Sequence, residues 1–249
     1  MNIKEIEIYT VFNNINPNNN SCKSLWGFSA IIKTNNKKIL FDTGSNGRVL
    51  IENLKTIDIN PLDIDTIFIS HGHWDHIGGL DSIVELNNKI DLYVTKHLSK
   101  NFINDYKTLT RRVTTVEDSF YKISENIYST GPIGNAKEQS LIIDTNKGLI
   151  IVFGCAHSGT EIIAKMAQEH FKKDILLLLG GFHLADKNEK EISNVIDLFK
   201  ESGIKYISPS HCTGDLACSL FEKYMDDSYI KGGVGQKIKF RESGVLELF

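Results

Sequence analysis

The sequence predicts an α/β fold in which strands and helices are arranged in layers. The second half of the chain repeats one pattern three times: an apolar β-type run, a histidine among small residues, and a helix-type stretch. The first third instead consists mainly of short alternating or β-branched runs separated by turn residues. Alternation of strands and helices at this spacing is typical of layered α/β domains.

The elements of the first half follow from periodicity and turn chemistry. Polar and apolar residues alternate along the expected strands, and Asn35-Asn36 supplies the turn of a hairpin. Ser45 has a side chain of the kind that caps a helix. These signals predict strands at residues 3–11, 25–33, 37–41, 66–69 and 91–95, and helices at residues 45–55, 80–86 and 96–106.

The segments between these elements carry weaker signals. Residues 13–21 are rich in asparagine and predict a solvated loop, with a mobile flap over the site as the alternative. Residues 111–128 hold short β-type runs, which predict strands at the edge of a second sheet. The breaker at residues 131–134 predicts a loop near the mouth of the site.

The second half is clearer, because each apolar run is short, β-type and bounded by glycine or serine. A glycine-rich stretch at residues 231–235 predicts a flexible turn before a final hairpin, rather than a phosphate-binding loop. The expected strands lie at residues 149–153, 175–179 and 206–208, and the expected helices at residues 160–170, 189–202 and 215–224.

Length and composition favour one domain and a small-molecule partner. The chain has 249 residues, of which 41% are hydrophobic and 24% charged, an ordinary globular balance with a sizeable core. A net charge of −3 gives no electrostatic reason to expect nucleic acid. The longest apolar run, at residues 175–179, is too short for a membrane span, and no targeting segment is visible. The 4 cysteines form no C-x-x-C pair, so we expect a cytoplasmic protein.

The strongest functional signal is the loop after the strand at residues 66–69. Its sequence, His71-Gly72-His73-Trp74-Asp75-His76, concentrates imidazole and carboxylate groups. If the chain stays extended from His71 to His73, both rings point the same way, while Asp75 and His76 can face a second centre. These groups are ligands for zinc, iron and manganese, so the spacing predicts metal binding.

Three further histidines follow the strands of the second half. The carboxyl ends of strands are where open α/β sheets place their sites, and the small flanking residues allow close backbone approach. His97 and His170 fall in predicted helices and are expected at the surface. The junction histidines are His157, His183 and His211.

The H-x-H-x-D-H run resembles the signature of the metallo-β-lactamase superfamily, whose members are metal-dependent hydrolases and occasional oxidoreductases. The resemblance covers nearly the whole chain in element order and implies a four-layer αββα sandwich forming one domain over residues 1–249. Three later motifs resemble the subfamily of 7,8-dihydropterin-6-yl-methyl-4-(β-D-ribofuranosyl)aminobenzene 5′-phosphate synthase: Gly154-Cys155-Ala156-His157-Ser158-Gly159, Gly180-Gly181-Phe182-His183-Leu184 and His211-Cys212-Thr213-Gly214.

The resemblance also implies a site for two divalent transition metals, with zinc as the first choice and manganese or iron as alternatives. Asp42, in Phe41-Asp42-Thr43-Gly44, would hold the histidine loop by hydrogen bonds without binding metal. Its alternative role is that of a helix-capping turn residue. The implied ligands are His71, His73 and His157 for one metal, and Asp75, His76 and His211 for the other.

The sequence departs from the superfamily at the bridge between the metals. In most of the superfamily an aspartate joins them at the end of the strand between the third and last histidine sites, but here that strand ends in Gly180-Gly181-Phe182-His183. His183 would therefore ligate a metal or reach the substrate, or one metal would be held weakly. Cys155 and Cys212 are thiolate candidates, with buried packing as their alternative.

The expected function is a metal-dependent hydrolase acting on a small phosphate-bearing or ester substrate, with a pterin-related molecule as one option. The metal would lower the pKa of a bound water from about 15.7 towards 7 and so supply hydroxide. Asp75 would orient that water and take its proton, and His183 or a cation such as Arg111 would stabilise negative charge. The alternative is a protein that holds metal and binds or senses a ligand without hydrolysis.

Overall fold

Two β-sheets form the centre of the computed structural model, which describes residues 5–17, 19–35, 37–241 and 246–248. The strands are β1 (Glu5–Phe12), β2 (Ser29–Lys33), β3 (Lys38–Phe41), β4 (Thr66–Phe68), β5 (Asp91–Thr95), β6 (Arg112–Val116), β7 (Tyr121–Ser124), β8 (Ile127–Ser129), β9 (Leu141–Thr145), β10 (Gly148–Phe153), β11 (Ile175–Gly181), β12 (Tyr206–Ser210), β13 (Lys237–Arg241) and β14 (Leu246–Leu248). The α-helices are α1 (Gly47–Thr56), α2 (Trp74–Ile77), α3 (Leu80–Leu86), α4 (Lys100–Leu109), α5 (Thr160–Phe171), α6 (Glu189–Glu201) and α7 (Asp215–Met225).

Both sheets are mixed. The first has the order β14-β13-β1-β2-β3-β4-β5-β6, and its strands from β3 to β6 are parallel. The second has the order β12-β11-β10-β9-β8-β7, with β10, β11 and β12 parallel. In each sheet the parallel strands therefore end at a common edge, where the loops that follow them can meet.

Three hydrophobic layers hold the sheets and helices together. The central layer joins the facing sides of the two sheets, through residues such as Phe41 and Phe68 on one side and Val152 and Leu179 on the other. The outer layers pack α1, α3 and α4 on the first sheet and α5, α6 and α7 on the second. The predicted four-layer αββα arrangement is confirmed.

Burial along the strands reflects their place in these layers. The residues of β1 from Glu5 to Thr10 alternate between half-buried and buried, as expected for a strand with one face toward solvent. Every residue of β10 and β11 is buried, because both faces of these strands are covered. The continuous apolar runs in the sequence at these two strands follow from that double burial.

Several elements differ from the sequence-based expectation. The cap of α1 is Asn46, which accepts a hydrogen bond from the backbone N–H of Val49, and not Ser45. Helix α4 begins only at Lys100, so His97 lies in a turn. Strand β6 is the edge of the first sheet, whereas it was expected in the second. Strand propensity marks a strand but does not identify its partner.

The asparagine-rich segment is not the solvated loop that we expected. The Asn13 side chain is fully buried and donates to Ser210 Oγ at 3.0 Å. The Asn20 side chain donates to the carbonyl of Val234 at 2.7 Å. These amides pair with polar groups at the end of β12 and in the loop before β13, so the described part of the segment is tied to the body of the fold.

No helix among the described residues is long and apolar enough to cross a membrane.

Candidate metal centre

The loop after β4 presents two histidine rings side by side. His71 is buried, and its Nδ1 lies 2.9 Å from Ser70 Oγ. Its Nε2 lies 2.9 Å from Nδ1 of His73, whose ring is exposed. With Nδ1 of His71 occupied by Ser70, Nε2 of His71 and Nδ1 of His73 are left beside each other, as two ligands of one metal would be.

Asp42 ties together the two ends of this loop. Its carboxylate accepts from the backbone N–H and the hydroxyl of Ser70, both at 2.7 Å, and lies 2.7 Å from His76 Nδ1. The contact fixes the ring of His76 and leaves its Nε2 facing the centre. Complete burial raises the pKa of Asp42 to about 8. Asp42 thus lies where the predicted supporting role requires it.

Asp75 lies in the first turn of the short helix α2 and points between two histidines. Its Oδ2 lies 3.4 Å from His211 Nε2 and 3.8 Å from His76 Nε2. The indole Nε1 of Trp26 donates to the same oxygen at 2.9 Å. Burial opposes the ionisation of Asp75, but the close approach of His211 and His76 outweighs burial and holds the pKa of Asp75 below the usual range. Asp75 is therefore ionised at neutral pH.

Glu138 supports His157 from the second sheet. It accepts from the backbone N–H groups of Cys155, Ala156 and His157 at 2.7, 2.9 and 3.0 Å. One of its oxygens also lies 2.7 Å from His157 Nδ1, which leaves His157 Nε2 toward the centre. Burial favours the neutral acid, but the hydrogen bonds from His157 and the backbone hold the pKa of Glu138 well below its usual range.

Sequence reasoning missed Glu138. It lies between a glycine breaker and an apolar strand, and no spacing relates it to the histidines. Its neighbour Gln139 was missed as well, although its backbone N–H and side-chain amide donate to the carbonyls of Ser70 and Ile69 at 2.9 and 2.7 Å. Residues 138 and 139 therefore connect the histidine loop to the second sheet.

His211 is held by a residue of the asparagine-rich segment. Its Nδ1 lies 3.0 Å from Asn14 Oδ1, and the amide nitrogen of Asn14 donates to the His211 carbonyl at 3.3 Å. The Nε2 of His211 is buried and has no hydrogen-bond partner in the described part of the chain, although Asp75 lies nearby. A buried nitrogen without a partner is costly unless it binds something, which fits a metal ligand.

The imidazoles of His71 and His76 are neutral in the metal-free protein. Burial and the neighbouring imidazoles lower the pKa of His71 to about 3 and that of His76 to about 4. Both groups therefore carry a free lone pair at neutral pH. Neutral imidazole is the form that binds metal, so no proton has to be removed from these two residues.

The structure brings the predicted ligands together in the two predicted sets. Within each set the ligand atoms lie within 4.8 Å of one another. This spacing and the unpartnered nitrogen of His211 fit two divalent metals, which the six side chains would hold. The first set is His71, His73 and His157, and the second is Asp75, His76 and His211.

Several site residues have a left-handed backbone. The φ angles are 52° at Asp42, 51° at His183 and 54° at His211. Such conformations are uncommon outside glycine and concentrate at functional sites, where the surrounding structure compensates for the strain. All three residues follow a strand end, so the strain lies where the sheet delivers side chains to the centre.

His183 lies at the rim of the cluster. Its ring is exposed and lies 4.4 Å from that of His157, centroid to centroid. A ligand nitrogen of His183 also groups with Cys155 and His157 within 4.8 Å. Hydrogen bonding to Cys212 raises the pKa of His183. The position allows contact with either a metal or a substrate.

Three other expectations concern residues outside the cluster. Arg111 was a candidate for stabilising negative charge, but its guanidinium binds Asp91 at 2.8 Å. Asp91 begins β5, at the edge of the sheet opposite the histidines, so this expectation was wrong. His97 and His170 are exposed and pair with Asp118 and Phe120 respectively.

The two sheets and the histidine cluster define a metallo-β-lactamase fold, and comparison with known sequences agrees. The family model of the metallo-beta-lactamase superfamily matches residues 27–166, so the chain belongs to this superfamily. A crystal structure described as Tm1679, a metal-dependent hydrolase of the beta-lactamase superfamily, superposes with a TM-score of 0.79 at 24% identity, over 93% of this chain and 98% of that chain.

Two sequence relatives have described activities. The 7,8-dihydropterin-6-methyl-4-(beta-D-ribofuranosyl)-aminobenzene-5'-phosphate synthase of Methanocaldococcus jannaschii is 28% identical, over 96% of this chain and 98% of the relative. A UPF0173 metal-dependent hydrolase of Sulfolobus acidocaldarius is 26% identical, over 66% of this chain and 76% of the relative. The resemblance to the synthase subfamily is thus supported, and the relatives include both a synthase and a hydrolase.

Proposed function

We propose that this protein is a cytoplasmic, metal-dependent hydrolase of a small phosphate-bearing or ester molecule. The observation that carries the proposal is the common orientation of four buried or half-buried imidazoles. His71, His76, His157 and His211 each have Nδ1 beside an oxygen of a neighbouring side chain, which leaves Nε2 toward the centre. Outer oxygen partners of this kind orient metal-binding histidines.

Two divalent metals, with zinc as first choice, would supply Lewis acidity that activates water and polarises a carbonyl or phosphoryl oxygen. Asp75 is placed to orient water through hydrogen bonding, because its Oδ2 faces the centre and is held by Trp26. A carboxylate with a lowered pKa accepts a proton only weakly, so orientation is its stronger role.

His183 is placed to stabilise negative charge on the substrate. Its ring is exposed at the rim beside His157, and its raised pKa favours the charged imidazolium. A cationic donor at this position would hydrogen-bond a carboxylate or phosphate oxygen as charge develops. We therefore assign His183 to catalysis and the six ligands of the two sets to metal binding.

The proposed substrate class is supported by the relative and by the rim. The Methanocaldococcus relative is a synthase named for a pterin-containing 5'-phosphate product. In this chain the exposed Trp26 packs against His211 with ring centroids 5.1 Å apart, which leaves an aromatic surface beside the centre. Planar rings bind such surfaces by stacking, so the proposed substrates include a pterin-like phosphate ester.

The test combines metal analysis and turnover. Protein purified without chelator is expected to carry between one and two equivalents of transition metal, because two ligand sets are present. Substrate panels of phosphodiesters, phosphomonoesters, lactones and thioesters, with added Zn²⁺ or Mn²⁺, are then compared for the wild type, His71→Ala and His183→Ala. We expect His183→Ala to keep its metal and lose roughly 10²–10³ in rate, as when a transition-state donor is removed.

Two controls decide the result. His97→Ala removes an exposed imidazole outside the cluster and should leave both the metal content and the turnover rate unchanged. Full activity of His71→Ala would identify the turnover as a contaminant. A wild type that binds metal and a pterin tightly, but is inert on every panel, would replace hydrolysis by ligand binding or sensing.

A further inference from the structure

The sulfur atom of Cys212 lies beside the end of β11, where the sequence has no carboxylate. The strand ends at Gly181, and a Cβ built on this glycine would lie 2.7 Å from Cys212 Sγ. It would also lie 2.4 Å from the carbonyl oxygen of Gly154. A side chain at position 181 is therefore excluded, and any group that joins the two ligand sets must come from elsewhere.

The thiol of Cys155 lies between the two sets. Its Sγ is 3.2 Å from His76 Nε2, the nitrogen that faces away from Asp42. It lies within 4.8 Å of ligand atoms of His71 and His157 from the first set, and of His211 from the second. One sulfur atom is thus within reach of ligands from both sets.

The backbone around Cys155 is fixed by the same residue that orients His157. Glu138 accepts the N–H of Cys155 at 2.7 Å, and the next two N–H groups as well. Cys155 is 4% exposed, so its thiol cannot turn to solvent without moving this loop. The position of the sulfur is therefore set by the fold.

We propose that Cys155 Sγ is a metal ligand shared by the two sets. The inference rests on the proposed metal binding and goes beyond it by naming the joining ligand. Thiolate sulfur is a strong ligand for zinc, and on binding the S–H bond breaks and its proton passes to solvent. An independent observation supports a metal at this point. The Nε2 atom of His211 is buried and has no hydrogen-bond partner among the described residues.

Two alternatives are less consistent with the geometry. Cys212 Sγ groups with Cys155 and His211, but its groups include no ligand of the first set. Pure packing accounts for a buried thiol, since cysteine behaves as a small apolar residue. It does not account for the 3.2 Å polar contact between the sulfur and the centre-facing nitrogen of His76, which brings two metal-binding atoms to one point.

The test uses cobalt as the probe. Metal-free full-length protein is titrated with Co²⁺, with bound metal measured by elemental analysis and thiolate coordination by the near-ultraviolet sulfur-to-cobalt charge-transfer band. The wild type should show the band. Cys155→Ser should lose it and bind the second equivalent at least about 10-fold more weakly, the lower limit for losses outside the ligand shell. Cys212→Ser, and Cys218→Ser as a control outside the cluster, should keep it.

The possible contrary results are distinct. A wild type that binds cobalt without the band, or a Cys155→Ser variant that keeps the band, overturns the inference and leaves metal binding intact. Loss of the band in Cys212→Ser alone assigns the thiolate to the other cysteine and also overturns it. A wild type that binds no cobalt contradicts the proposed function itself. Circular dichroism checks that each variant is folded. The charge-transfer band of the wild type tests the inference even if a variant does not fold.

Discussion

The two sheets support the candidate centre in the same way but with opposite electrostatics. From the first sheet, Asp42 lies 2.7 Å from His76 Nδ1, and from the second, Glu138 lies 2.7 Å from His157 Nδ1. Both carboxyl groups are buried. Yet the pKa of Asp42 is raised to about 8, whereas that of Glu138 is held well below its usual range.

The difference lies in how far the neighbours of each carboxyl group oppose burial, and for Glu138 the largest opposing influence is the hydrogen bond with His157. Glu138 accepts three consecutive N–H groups besides the histidine, while Asp42 accepts one N–H and a hydroxyl, both from Ser70. For Glu138, the His157 side chain, the nearby His71 and the backbone donors together outweigh burial, whereas for Asp42 the nearby His71 and the hydrogen bonds from Ser70 do not. Glu138, beside the second sheet, is therefore ionised at neutral pH. Asp42, beside the first sheet, ionises at neutral pH only when a nearby positive charge lowers its pKa.

The largest effect should come from removing the anion of the second sheet. Glu138→Ala leaves three backbone N–H groups without an acceptor, and the two in buried hydrogen bonds, from Cys155 and Ala156, cost about 1–3 kcal/mol each. We expect the free energy of unfolding of the metal-free protein to fall by at least about 2 kcal/mol in urea titrations. Glu138→Gln, which keeps one carbonyl acceptor, should lose less. Equal stability of the wild type and the alanine variant would show that the N–H groups find other partners.

Removing the charge of the first sheet should affect metal binding more than folding. Asp42→Asn fits the left-handed backbone at this position, since asparagine tolerates φ near the observed 52°. It keeps an acceptor for Ser70 but removes the only form of this group that could become an anion behind His76 when a cation binds. We expect metal affinity of the second set to fall by about 10- to 100-fold. Calorimetric titration with Zn²⁺ measures this, and an unchanged affinity accompanied by a lower melting temperature would restrict Asp42 to the alternative role of a turn residue.

The pH dependence of stability should separate the two carboxyl groups by sign. The pKa of Asp42 rises from 3.8 to about 8 on folding, so its stabilising contribution is complete below 3.8 and is lost as pH rises through about 8. Between these values the wild type should lose about 1.4 kcal/mol per pH unit relative to Asp42→Asn. For Glu138 the pKa is lowered, so its contribution is present above 4.5 and is lost as pH falls. Metal-free urea titrations from pH 5 to about pH 8 test the first sign; a flat difference would mean that Asp42 is ionised throughout.

The ligand loop and the strand ends could be predicted from the sequence because they are local. The H-x-H-x-D-H spacing is contiguous, and each later histidine directly follows an apolar run; α3 and β5 lie at the predicted residues. Glu138 and Asn14 could not be predicted, since each acts on a histidine that is distant in the sequence and only the packed sheets bring them together. The prediction that β6 belongs to the second sheet was wrong for the same reason.

The smallest effect should come from Asn14, the carboxamide partner of His211, because an amide cannot ionise. Asn14 orients His211 through a neutral amide, and neutral hydrogen bonds contribute about 0.5–1.5 kcal/mol where ionic ones contribute more. Asn14→Ala should therefore weaken Zn²⁺ binding by roughly 2- to 12-fold, less than Asp42→Asn. Asn14→Asp, which places a carboxylate behind His211 as Asp42 does behind His76, should restore or raise the affinity. If Asn14→Ala weakens binding more than Asp42→Asn, charge is not what distinguishes these supports, and the rigidity of the asparagine-rich segment would be the determining factor.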